Sequence, residues 1–344
     1  MPQLQANQPV MPSIQSSNPQ LNSNYLQGLL CSAAKIMRKG VSKNTLKVYD
    51  SAWYFFSSFC LSFSVNPIPV NIPIICAFIV HSSESRKLKP SSIKAMVSGI
   101  QFHLRCLDPS SLSILSHPSI RLLLNGLKKD QPQGKDKRLP LSIDLVHKLV
   151  GRLRQGCFSF YEDKMLEAII LTAFFGFLRV GEFTTRSLSF NPQHDLTFSD
   201  LSFEPNLFTL FLKESKADTF KRGVPVVISR TNSVFCPFSS MSIYLQCRAR
   251  SLPQDPLFII PGGNPMSRPW FAEKLKLLCL YCGLSPEFYT PHSLRIGAAT
   301  TAALKVPVAT LKILGRWSSA AYERYVRLNR AEILLAQNLM SSSV

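Results

Sequence analysis

Hydrophobic residues in the first third of the chain recur at helical spacing. Leu46, Tyr49, Trp53, Phe56 and Cys60 repeat at three- and four-residue steps behind the start signal Ser42-Lys-Asn-Thr45. Pro67, Pro69 and Pro73 interrupt the pattern before a second apolar helix, Ile74 to Val80. Pro90-Ser-Ser opens another, with Ile93, Val97, Ile100 and Leu104 on one face. A helical domain is therefore expected over residues 25–127. Helices also open the second half, from Ser142 to Gln155 and from Tyr161 to Phe177. The period then changes from about 3.6 to 2. Leu196 to Phe203 and Leu207 to Lys213 alternate as strands, and Gly223 to Ile228 makes a third. These predict a small three-stranded antiparallel sheet. Helices resume near Ser239, Ser267, Pro291 and Val306, and a last one is expected from Ser319 to Leu339. The fold class is mostly α (α+β), with a helical N-terminal domain and a mainly helical second domain over 139–344.

Residues 1–24 carry no charged side chain and are rich in Gln, Asn, Ser and Pro, the signature of a disordered tail. Lys128 to Arg138 is polar, charged and broken by Pro and Gly, and it reads as a basic linker between the two domains. Charge then narrows the function. Thirty-nine Lys and Arg face 20 Asp and Glu, for a net charge of +19 spread along the chain. That balance suits a partner that is a polyanion, and double-stranded DNA is the natural one. Lys43, Lys47, Arg86, Lys87, Lys89 and Lys94 lie at helix starts or on polar faces, where they can reach backbone phosphates. Nine cysteines without a regular framework, and no secretory leader, point to reduced thiols inside the cell. Cys279 and Cys282 make a single C-x-x-C within an apolar run, which reads as buried helix thiols rather than half a zinc site. No metal site and no phosphate-binding glycine loop is legible, so no cofactor is expected. The longest apolar stretch, Ala168 to Leu178, is too short to span a bilayer.

The candidate chemistry is concentrated late in the chain. Thr290-Pro291 is a helix start, which puts His292 and Arg295 three residues apart on one face of a first turn. Arg179 follows an apolar run, where a guanidinium needs a partner, and Glu182 stands three residues on. Trp317 offers an indole N–H donor just before a helix that carries Tyr322 and Tyr325. A phenol is a weak nucleophile until neighbouring cations help draw off its proton. Two arginines clamping a phosphate beside a tyrosine fit that need. Lys213 and Lys216 lie at the end of the second strand and in the turn after it, where a lysine can protonate a leaving hydroxyl.

Taken in order, these pieces resemble the tyrosine recombinase (phage-integrase-like) family. The phrases that carry the resemblance are Phe177-Leu-Arg-Val-Gly-Glu182, Glu214-Ser-Lys-Ala-Asp218, His292-Ser-Leu-Arg-Ile-Gly-Ala-Ala-Thr300 and Gly315-Arg-Trp317 through Tyr325-Val-Arg327. They are most similar to recombinases of eukaryotic mobile elements, the DIRS-like, Ngaro-like and Crypton groups. The resemblance implies that the 25–127 segment is a core-binding domain and that 139–344 is the catalytic domain. It implies that Arg179 and Arg295 clamp a scissile phosphate, with Glu182 in support. His292 would assist proton transfer, Trp317 would donate to a non-bridging oxygen, and Lys216 would be the general acid. Tyr325 would be the nucleophile. Tyr322 and Lys213 stay open as alternatives to Tyr325 and Lys216. The resemblance further implies a homo-tetramer on DNA, action in the nucleus, and neither ATP nor metal. A type IB topoisomerase-like enzyme and a DNA-binding protein that has lost catalysis are the competing functions.

Overall fold

The computed structural model describes residues 19–107, 113–131, 136–185, 189–214, 218, 222–248, 252–327, 333–334 and 337–338. The chain divides into two compact units, Met1–Lys135 and Asp136–Val344. Most of the tail expected over 1–24 lies outside the described residues, but a helix already begins at Pro19.

The first unit is all helical: α1 (Pro19–Lys39), α2 (Lys43–Ser62), α3 (Ile72–Glu84), α4 (Pro90–Leu107) and α5 (Pro118–Asp130). Ser42 caps α2, its hydroxyl accepting the Thr45 amide at 3.1 Å. The apolar stripes meet in one core of Phe56, Cys60, Ile75, Phe78, Ile79, Ile93, Val97, Ile100, Ile114, Ile120 and Leu124. Arg38 of α1 donates to Asp50 of α2 at 2.9 Å. Lys43, Lys47, Lys87, Lys89 and Lys94 are exposed on α2, on the α3–α4 connection and on the first turn of α4. Arg86 is half-buried, with its guanidinium 3.9 Å above the Phe55 ring.

The second unit surrounds α7 (Phe160–Phe175), which is buried on nearly every side. A capping box starts it: Ser159 and Glu162 exchange backbone and side-chain hydrogen bonds. Around it lie α6 (Ile143–Arg154), α8 (Val180–Phe183), α9 (Pro237–Cys247), α10 (Arg268–Tyr281), α11 (Pro291–Ala303) and α12 (Val308–Gly315). The sheet has strand order β1 (Leu201–Glu204), β2 (Leu207–Leu212), β3 (Val224–Ser229), antiparallel throughout. Phe208, Leu210 and Leu212 point into the core and Thr209 and Phe211 away from it, the period-2 pattern read from the sequence. All nine cysteines are free, and Cys279 and Cys282 are buried.

Three expected elements differ. The first strand does not start at Leu196, because residues Phe198–Asp200 form a 3-10 turn. Asp200 causes it: its carboxylate accepts both the Thr197 amide and hydroxyl at 2.7 Å, competing with ladder pairing. Helix α7 ends at Phe175 rather than Phe177, because Phe177 takes a left-handed φ of 49°. The last helix is not continuous from Ser319. Residues Ala320–Arg324 form a 3-10 turn that stops at Tyr325, and most of the span after Arg327 lies outside the described residues. No helix among the described residues is long and apolar enough to cross a membrane.

Candidate active site

Two left-handed turns build the site. At the first, Gly176 and Phe177 end α7 and turn the chain so that Arg179 becomes the N-cap of α8. At the second, Arg316 ends α12 with φ 54°. A Cβ on Gly315 would fall 1.8 Å from the Trp317 ring, so only glycine lets the indole fold back over the end of that helix.

Helix α11 supplies His292 and Arg295. Thr290 is its N-cap and Pro291 its first residue, as the sequence predicts. The capping contact differs in detail: the Ser293 hydroxyl accepts the Thr290 amide at 3.1 Å. The helix is buried from Ser293 to Thr300. It lies so close to the segment entering α6 that a Cβ on Gly297 would stand 1.7 Å from the Leu141 carbonyl oxygen.

Arg295 is fully buried (0% exposed). Its guanidinium donates to the Phe177 carbonyl and, at 2.6 Å, to the Gly315 carbonyl, so one side chain staples both turns. Burial pulls its pKa down to about 10, and the neighbouring Arg179 and Arg316 add to the shift while Glu182 opposes it. It stays charged at neutral pH.

Glu182 is the shared acceptor. One carboxylate oxygen takes Arg179 Nη1 at 2.8 Å, and the other takes the Arg179 amide and Arg316 Nη2, each at 2.8 Å. Burial alone would raise this carboxyl. Arg316, the Arg179 amide, and the Arg179 and Arg295 charges outweigh burial and hold it below the usual carboxylate range.

Tyr325 closes the arrangement. Its ring centroid lies 5.2 Å from that of His292 and 5.2 Å from that of Trp317, and the Arg295 guanidinium carbon is 5.3 Å away. Tyr322 is turned elsewhere: its ring is 6.4 Å from Trp317 and 5.6 Å from the Lys312 ammonium. It also lines an apolar groove with Ala303, Val306, Val308, Leu311 and Val326. The Thr300 hydroxyl secures the Tyr325 segment, donating to the Tyr325 carbonyl at 3.2 Å and accepting the Arg327 amide at 3.0 Å. Arg327 in turn bonds the Asp136 carboxylate and the Arg138 carbonyl.

Burial lowers the His292 pKa to about 4, with Arg138, Arg295 and Arg179 pushing the same way and Asp136 against. Among the described residues, Trp317 Nε1 and Arg295 Nε are buried and make no hydrogen bond. The arrangement is thus a neutral imidazole, a phenol, several guanidinium groups and an indole donor gathered at one place.

The structure therefore brings Arg179, Glu182, His292, Arg295, Trp317 and Tyr325 together. Lys216 lies outside the described residues. Lys213 lines a small cavity with Glu182, but its ammonium is engaged by other groups. Its ammonium sits 2.5 Å from Asp200 and donates to the Pro192 carbonyl at 2.8 Å, the Thr197 hydroxyl at 3.0 Å and the Asp195 carbonyl at 3.3 Å. Sequence reasoning missed Arg316. It stands in the phrase that carries Trp317, but its partners lie about 140 residues upstream, and no local spacing reveals them. Among the described residues no group of three or more His, Cys, Asp or Glu side chains is gathered as metal ligands.

No family model matches the chain. An integrase/recombinase xerD homolog from Selenomonas ruminantium is 21% identical over 279 residues, 79% of this chain and 77% of the relative. The tyrosine recombinase XerD of Rickettsia bellii (strain RML369-C) is 25% identical over 283 residues, 79% of this chain and 82% of the relative. Among solved structures, the Tn1549 transposon integrase in complex with circular intermediate DNA has a TM-score of 0.59 at 14% identity, covering 91% of this chain and 98% of that one. The sequence matches support kinship with the tyrosine recombinases and integrases, and the structural match is one of fold.

Proposed function

We propose that this chain is a site-specific DNA recombinase that cuts and rejoins strands through a covalent 3′-phosphotyrosyl link. The observation that carries the proposal is the position of Tyr325, whose ring packs against His292 and Trp317 beside the buried Arg295. The XerD-like relatives, and a fold shared with an integrase solved on DNA, support DNA as the substrate.

In the proposed chemistry, Arg179 and Arg295 hold the non-bridging oxygens of one backbone phosphate, and Glu182 orients Arg179. The fork of a guanidinium suits that task. Trp317 Nε1 adds a donor toward the charge that grows on the phosphoryl oxygens. The Tyr325 oxygen attacks phosphorus while neutral His292 accepts the phenolic proton. The bond from phosphorus to the 5′-oxygen breaks, and that oxygen takes a proton, for which Lys216 is the candidate donor. One phosphoester replaces another, so the bond energy is kept. A 5′-hydroxyl of a second strand then reverses the step, freeing Tyr325. Positioning and electrostatics drive the exchange, without ATP or metal.

We further propose that the chain works as a homo-tetramer on DNA, in the nucleus, for a eukaryotic mobile element. Lys43, Lys47, Arg86, Lys87, Lys89 and Lys94 would hold the duplex through phosphates.

The test is covalent capture on nicked duplexes drawn from a randomised pool, in the presence of a chelator. A protein–DNA adduct is expected from the wild type and from Tyr322→Phe, and none from Tyr325→Phe. Tight DNA binding with no adduct from the wild type would instead indicate a DNA-binding protein without catalysis.

A further inference from the structure

Arg316 has no part in the chemistry proposed above, yet it is bound into the centre of the site. Its side chain is 11% exposed. Nη2 donates to Glu182 at 2.8 Å and to the Phe177 carbonyl at 3.2 Å, and Nη1 donates to the Gly176 carbonyl at 2.9 Å. Arg179 meets the same Glu182 through its guanidinium on the other carboxylate oxygen and through its amide on the oxygen that takes Arg316. The carboxylate is thus fixed between two arginines that come from opposite ends of the unit's sequence. Arg316 also shares the Phe177 carbonyl with Arg295. The turn that presents Arg179 is therefore held by two guanidinium groups, Arg316 through the Gly176 and Phe177 carbonyls and Arg295 through the Phe177 carbonyl.

We propose that Arg316 is a positioning residue: it fixes Glu182 and the Gly176–Phe177 turn so that Arg179 meets the phosphate at the place set by Arg295, Trp317 and Tyr325. This role rests on the phosphoryl-transfer site proposed above. Arg316 is assigned no contact with the reacting atoms: Nη1 and Nη2 are taken by Glu182 and by two backbone carbonyls, and Nε is buried without a hydrogen bond. Its backbone joins α12 to Trp317, so the same residue ties the turn that carries Arg179 to the segment that carries the indole and the nucleophile. Misplacement of one clamp arginine by about 1 Å is enough to cost on the order of a hundredfold in rate.

The discriminating substitution is Arg316→Lys. It keeps the positive charge and makes no new demand on the left-handed backbone, but it loses the fork that spans a carboxylate and two carbonyls. Two readouts on the full chain are paired with circular dichroism and thermal melting. The first is the single-turnover rate of adduct formation on the nicked duplex that the wild type captures. The second is the calorimetric affinity for inorganic phosphate, which needs no target sequence. Folded Arg316→Lys is expected to form adduct about a hundredfold more slowly at saturating DNA. Its DNA affinity should be unchanged, and its phosphate affinity should fall by about tenfold. Glu182→Gln should slow the adduct to a similar degree, and the double variant should be no slower than either alone, because both act through Arg179. A folded Arg316→Lys with the wild-type rate and phosphate affinity would overturn the role, as would losses that multiply in the double variant. If the wild type captures no duplex but binds phosphate, the proposed reaction falls, and the phosphate affinities alone decide the role of Arg316. If it does neither, the site reading falls and takes this role with it.

Discussion

His292 shows how burial assigns a chemical role to a single side chain. An imidazole that protonates near pH 4 is neutral at physiological pH and can accept a proton from the adjacent phenol. The same shift makes stability depend on pH. In the unfolded chain this histidine takes a proton near pH 6.5, well above its folded value. Between these values the unfolded state binds more protons, so stability is full above about pH 6.5 and falls as the pH drops toward 4. The contribution is on the order of 2–3 kcal/mol. Urea unfolding across that range should show the loss, and His292→Asn should flatten it; an unchanged slope in the variant would contradict the assignment. His292, Arg295, Arg179 and Glu182 were legible in the sequence because each pair sits three residues apart around a helix start. Arg316 was not, since its acceptors belong to the far turn at Gly176 and Phe177. The engagement of Lys213 was equally hidden, because it depends on Asp200 and on a loop that strand periodicity does not describe.

Among the elements, the segment after α12 matters most and was read least well. Apolar spacing predicted one long helix from Ser319, yet the turn ends at Tyr325. The Thr300 hydroxyl takes over the backbone groups that a further helical turn would have satisfied. Thr300→Val keeps the shape but removes both hydrogen bonds, at a cost of about 1–2 kcal/mol. It should slow adduct formation while leaving DNA affinity unchanged, as measured by single-turnover capture beside a binding titration. The helix starts at Ser42, Ser267 and Pro291 were readable because capping chemistry is local. Packing distances were not: nothing in the spacing around Gly297 reveals that the Leu141 carbonyl presses against it. Gly297→Ala should therefore destabilise the second unit by about 1–3 kcal/mol, visible as a lower melting temperature. An unchanged melting temperature would mean that the two segments do not approach so closely.

For the whole molecule, the net charge of +19 and the exposed lysines Lys43, Lys47, Lys87, Lys89 and Lys94 of the first unit set the expected mode of DNA binding. Phosphate contacts release counterions, so affinity should fall steeply with salt, and each phosphate-contacting lysine accounts for about 0.9 of the log–log slope. Replacing Lys43, Lys47, Lys87, Lys89 and Lys94 one at a time by alanine should lower that slope wherever the lysine meets a phosphate. A slope indifferent to all five would place the duplex elsewhere. The helical class followed from apolar periodicity, because long amphipathic helices declare themselves. The central claim concerns one bond, the link between Tyr325 and DNA. It is tested most directly by digesting the captured adduct and finding by mass spectrometry which residue carries the nucleotide. A 3′-phosphate on the Tyr325 oxygen, with a free 5′-hydroxyl on the released strand, is the predicted result. A nucleotide on Tyr322, on any other residue, or joined through a 5′-phosphate would contradict it.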